Sequence, residues 1–171
     1  VAGGGSLLSL PVLIFMGLPP TLANGTNRVA IVIQTALATA GFKSKGVSTF
    51  PFNIYLGIAA FFGSLLGAKI AVDIDEAIFN KVLATIMAVV ILIIIFKPQT
   101  NLTNLQERLT GKYLWLGIIV FFFLGIYGGF INAGIGFLII LYLHYTHYMS
   151  LVRVNATKVF VVFIYTLGAL A

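Results

Sequence analysis

The sequence predicts an all-α polytopic membrane domain, and three observations carry that prediction. Of its 171 residues 60% are hydrophobic and only 8% are charged, too few polar side chains to cover a water-soluble globule. The apolar residues come in unbroken runs, such as residues 82–96, rather than alternating with polar ones as a membrane β-barrel requires. Glycine-rich and Asn-x-Thr segments interrupt the runs, so some of the helices are short or broken. The net charge of +6 comes from ten Lys and Arg spread between the apolar spans, which reads as a topology signal; a nucleic-acid partner calls for a basic stripe that is not there. There is no cysteine, which excludes disulfides, thiolate metal sites and cysteine nucleophiles.

Taken in order, the first apolar segment is residues 6–18, preceded by Gly3-Gly4-Gly5-Ser6. Asn24-Gly25-Thr26-Asn27 then stands directly before a second short segment, residues 28–41, where its amides and hydroxyl read as N-caps. Full-length helices, at about 20 residues per crossing, are expected at 51–72, 76–96 and 112–130. The polar stretch 97–111 is a linker inside one membrane domain covering 1–171, with a first repeat over about 1–96 and an incomplete second one over about 112–171. After Gly128-Gly129 and Asn132, with Gly134 and Gly136, comes a short segment at 136–149. Asn155-Ala156-Thr157 precedes the last apolar run, which starts at Lys158. Segments of about 13 to 15 residues suit half-helices or tilted, broken ones.

A shift of 131 residues superposes unusual residues of the two halves without a gap. Ala2, Gly3 and Gly5 fall on Ala133, Gly134 and Gly136; Asn24 and Thr26 fall on Asn155 and Thr157; Thr35 falls on Thr166. With Lys43, Lys45, Lys97, Arg108 and Lys112 in cytoplasmic loops and Asp73, Asp75 and Glu76 outside, the repeats are expected to be inverted. That parity holds if the short segments cross the bilayer and changes if they re-enter.

The chemistry sits in the interruptions. Unwound glycine-rich backbone exposes N–H groups and starts a new half-helix, whose N-terminus attracts an anion; close packing of small residues is the alternative use. Arg28 and Lys158 each fall in the first turn of the helix expected there, where a cation opposes the helix dipole and a bound oxyanion would offset the penalty. Snorkelling to headgroups is the bland alternative. Asn132 reads equally as a ligand amide or an interhelical hydrogen bonder, and Gln34 as glue between helices. His144 and His147 lie among Tyr142, Tyr145 and Tyr148, an aromatic interfacial belt rather than a metal pair. Lys69 and Asp73 read as a helix-end pair. All four acidic residues, Asp73, Asp75, Glu76 and Glu107, fall at loops or helix ends, so no carboxylate is placed for proton relay at the membrane centre. Na⁺ held by Asn and Thr oxygens remains open as a coupling ion, as does H⁺. No triad, Walker loop or paired carboxylates stand out, so neither an enzyme nor a cofactor is expected.

The segments VAGGGSLLSLPVLIFMGLPPTLANGTNRVAIV and GGFINAGIGFLIILYL, followed by RVNATKVFVVFIYTLGAL, resemble the sulfite exporter TauE/SafE family of membrane permeases, over essentially the whole chain. The resemblance implies about eight helices in two related halves, a multi-pass protein of a prokaryotic plasma membrane, and a small anionic substrate such as sulfite, an organosulfonate or a related sulfur-containing anion. It implies that Gly3, Gly4, Gly5, Ser6, Asn24, Thr26, Asn27, Arg28, Asn132, Gly134, Gly136, Asn155, Thr157 and Lys158 line the site. Family members also carry a helix before the first glycine motif and further helices after the last one here, so terminal helices are expected to be missing from this chain. A passive anion channel and a non-transporting membrane assembly subunit are the competing readings.

Overall fold

A computed structural model describes residues 5–95 and 107–170. The described residues form seven helices and no strand: α1 (Gly5–Phe15), α2 (Pro20–Ser44), α3 (Phe52–Asp73), α4 (Glu76–Ile95), α5 (Lys112–Phe130), α6 (Ile135–His147) and α7 (Leu151–Leu170). Three of them, α3, α5 and α7, are long and apolar enough to cross a membrane. Most of the linker expected at 97–111 lies outside the described residues.

The centre of the bundle is a seam of small residues between α3 and α5. A Cβ added at Gly63 or Gly67 would run into the backbone of Phe122, Ile126 and Phe130, and one added at Gly125 or Gly129 into that of Ala60 and Ser64. Glycine at these four positions is therefore what lets the two backbones touch, the main source of helix association where lipid supplies no hydrophobic drive. Because Ala60 meets Gly125 and Ser64 meets Gly129, α3 and α5 run in the same direction. Helix α7 joins them in that direction, with Gly57 against Phe160 and Ile164, and Gly168 against Phe61 and Ser64.

Helix α2 runs the opposite way along α7. Arg28, near its start, reaches the carbonyl of Ala169 near the end of α7, and Thr49, just past its end, pairs with Thr157 near the start of α7. Helix α1 folds back on α2, with Ser9 bonded to Asn27. Helices α2 and α7 start at Pro20 and Leu151, an offset of 131 residues.

The backbone unwinds between α5 and α6. Phe130 lies level with Gly67, six residues and about 9 Å before the end of α3, so the unwound residues 131–134 are within the thickness of the bundle. Ile131 and Ala133 are fully buried beneath Leu10, Ala23, Ala71, Phe79 and Leu83, as non-helical backbone at membrane depth requires. From there α6 returns to the level at which α5 began: the Arg108 N–H donates to the His147 carbonyl at 3.0 Å, and the His147 ring bonds the Arg108 carbonyl. Helices α5 and α6 therefore form a hairpin that starts and ends at one end of the bundle, with its unwound turn inside the packed helices. One end of the bundle gathers Lys43, Lys45, Arg108, Lys112 and Arg153; Asp73 and Asp75 lie at the other, with Lys69 and Lys81.

Candidate functional site

The unwound segment leaves the last carbonyls of α5 without intrahelical partners; side chains of α2 supply them, and tyrosines of α5 and α7 bond the unwound segment itself. Asn24 Nδ2 donates to the Phe130 carbonyl at 2.9 Å. Arg28 Nη2 donates to the carbonyls of Gly129 and Phe130, and Nη1 to that of Ala169 at 2.7 Å. Tyr127 donates its hydroxyl to the Ala133 carbonyl, and Tyr165 donates to Asn132 Oδ1 at 2.7 Å. A guanidinium at the end of α5 sits where the helix dipole is negative, so its charge is favourable there. Arg28 thereby ties the end of α5 to α7.

Both polar segments read as N-caps are instead inside helices. Helix α2 begins at Pro20, whose ring suits the first helical position, and runs unbroken through Asn24, Gly25, Thr26, Asn27 and Arg28. Helix α7 begins at Leu151 and likewise contains Asn155, Thr157 and Lys158. A helix stop at Gly25 would orphan backbone groups at membrane depth, which costs more than the glycine does. Arg28 and Lys158 therefore lie in the second and third turns, away from any first-turn dipole penalty.

Asn24, Asn27 and Arg28 share one face of α2 at i, i+3, i+4 spacing and are all buried, whereas Thr26 is exposed on another face. On this face Arg28 Nε, Asn27 Nδ2 and Asn24 Oδ1 are buried with no hydrogen-bond partner. Gly134 caps α6 in the left-handed region, φ 73°, and Gly136 is buried in its first turn. Gly3 and Gly4 lie outside the described residues, as does the side chain of Ser6; Gly5 starts α1. Gly128 and Gly129 do not interrupt α5: Gly129 packs on the backbone of Ser64 and Gly128 on the Tyr165 and Ile135 side chains, the packing use of glycine.

The second polar segment sits elsewhere. Thr157 is fully buried with its hydroxyl 2.7 Å from that of Thr49, and the buried Lys158 donates to Asn155 Oδ1 at 2.7 Å. Ala169, which Arg28 reaches, is eleven residues beyond Lys158, about 16 Å along α7. The Lys158 ammonium turns back toward Asn155, which increases the separation. The two segments expected to line one site are brought to opposite ends of α7.

Other expectations also change. Gln34 is exposed, so it joins no described helices. Lys69 and Asp73 form no ion pair; among the described residues the ion pair is Arg153 with Glu107. His147 is buried, ringed edge-on by Phe52, Tyr113 and Tyr142 at the basic end of the bundle, while His144 bonds the Met149 carbonyl. Ser9, Thr49, Tyr127 and Tyr165 were not singled out in the sequence. The two tyrosines had a signal, a phenol within an apolar helix, and the other two had none.

The comparisons with known proteins agree with this architecture. A family described as sulfite exporter TauE/SafE matches residues 1–171. A probable membrane transporter protein of Haemophilus influenzae is 35% identical over 136 residues, covering 80% of this chain and 52% of that protein. Probable membrane transporter proteins of Escherichia coli K12 (YfcA, 27% over 137 residues) and a Sinorhizobium species (ORF9, 23% over 136 residues) each match 80% of this chain. Their own coverage is 50% and 51%, so the chain spans about half the length of the curated relatives it matches. No solved structure matches it. The helices, the buried unwound segment and the family match together place this chain in the TauE/SafE sulfite exporter family of membrane proteins.

Proposed function

We propose that the protein is a secondary transporter of a small anion, sulfite or an organosulfonate or a related sulfur-containing anion, working by alternating access. One observation carries this reading: Arg28 and Lys158 are buried in the bundle, and no described carboxylate pairs with either. Asp73 and Asp75 are exposed at a helix end, and Glu107 is taken by Arg153. Buried charge left without an opposite charge costs several kcal/mol, and a mobile anion offsets it. The unpartnered donors Arg28 Nε and Asn27 Nδ2 are suited to the same ligand.

Alternating access is supported by the matched helices. Helices α2 and α7 share the 131-residue offset and run antiparallel, the relation expected of two inverted repeats. The closed packing over Ile131 and Ala133 favours this over an open channel. With the basic end in the cytoplasm of a bacterial cell, an inside-negative potential contributes about 2.3 kcal/mol per charge per 100 mV toward export. Export then needs no coupling ion, whereas import would require Na⁺ or H⁺.

The test is thermal stabilisation of the purified protein by sulfite against sulfate, chloride and a small organosulfonate, each with and without Na⁺. A rise of several degrees with sulfite or the sulfonate alone supports the reading and ranks its substrates. No rise with any of the anions overturns it.

A further inference from the structure

Lys158 is as buried as Arg28, at 3% and 5% exposure, yet far less is arranged around it. An ammonium has three N–H donors, and one acceptor meets it, Asn155 Oδ1. The Asn155 amide nitrogen is itself bonded to the Leu151 carbonyl, which holds the oxygen toward Lys158. The next residue back, Thr157, forms a hydroxyl pair with Thr49 in which neither residue is more than 2% exposed. Two hydroxyls sharing one hydrogen bond use one of their two hydrogens, and the other remains free to donate. Charge and donor hydrogens thus lie on the first turns of α7, far along that helix from the Arg28 clamp.

We propose that Lys158, with Asn155 and the Thr49–Thr157 hydroxyl pair, forms a second station for a small oxyanion at the basic end of the bundle, separate from the unwound segment at Arg28. It rests on the anion reading above and divides it into two stations along α7. Asn155 is half-buried, so the ammonium lies at the edge between the packed interior and the basic end, where an anion from that side would first be desolvated. The cluster of Lys43, Lys45, Arg108 and Lys112 at the same end raises the local anion concentration in front of it.

Titration of sodium sulfite into the purified protein, followed by calorimetry, tests the separation. Wild type is expected to bind at two sites. Lys158→Gln should weaken one of them by at least about tenfold and spare the other, Lys158→Arg should restore it, and Asn27→Ala should weaken only the site at Arg28. A single site in wild type, or an isotherm that Lys158→Gln leaves unchanged, overturns the second station while the anion reading stands. No binding of any anion to wild type overturns both. Lys158→Met separates a ligand role from a structural one: without anion its melting temperature should equal or exceed that of wild type, because an uncompensated charge has gone. A fall of several degrees would show the ammonium already satisfied by the protein, and would also overturn the station.

Discussion

Arg28 and Lys158 make an instructive pair: both are buried cations on matched, antiparallel helices, and their surroundings differ in kind. Arg28 falls where α5 comes to an end, and helix ends carry carbonyls with no partner of their own. The carbonyls of Gly129 and Phe130 take its donors there, and that of Ala169 in α7 takes another. Lys158 falls in the early turns of α7, and the acceptor that meets it is a side chain of its own helix, Asn155. The same kind of residue thus becomes a clamp in one place and a poised, under-neutralised charge in the other. Its role follows from which part of a neighbouring helix faces it.

The sharpest way to break this comparison is Arg28→Met. Removing the guanidinium from the carbonyls of Gly129, Phe130 and Ala169 should cost about 3–5 kcal/mol, seen as a large loss in chemical or thermal unfolding in detergent, whereas Lys158→Met should cost nothing. Equal losses at the two positions would remove the distinction. A smaller effect is expected at Asn24, which supports only the Phe130 carbonyl. Asn24→Leu should lose about 1–3 kcal/mol, and combined with Arg28→Met it should lose more than the sum, since only the double variant leaves the Phe130 carbonyl without a side-chain donor. The smallest effect belongs to the other end. A double-mutant cycle of Thr49→Val and Thr157→Val should return a coupling of about 0.6 kcal/mol in the absence of anion, rising when sulfite is present if the pair belongs to the second station.

Much of the fold is legible in the amino-acid order because the bilayer leaves few options. Residues 112–130 are predicted and observed as one helix, and the expected 51–72 and 76–96 shift by a residue at most. Backbone in lipid must be helical wherever it is not sheltered, and runs of apolar residues mark it directly. The errors cluster at polar residues within those runs. Asn24 to Asn27 and Asn155 to Thr157 have the composition of helix caps, and in water they would compete well for the backbone. Inside the bundle the helix continues through them, because unwinding there would expose more unpaired groups than a cap can satisfy. Gly129 remains in α5, pressed against Ser64, whereas in the unwound residues 131–134 the Ala133 carbonyl finds the Tyr127 hydroxyl.

Sequence alone determined that this is an all-helical membrane protein with a glycine-marked break before α6, a 131-residue internal correspondence and two cations among apolar residues. Those properties depend on composition and on spacing along the chain, which solvation by lipid reads locally. Tertiary structure decided that α6 returns to the end at which α5 began, that Asn24 and Arg28 support the broken end of α5, and that Lys158 lies about 16 Å away along α7. Those outcomes depend on the small-residue seam that aligns α3 with α5 and on the antiparallel placement of α2 against α7. Such pairings set which helix end meets which side chain, and no local property of the sequence encodes that meeting.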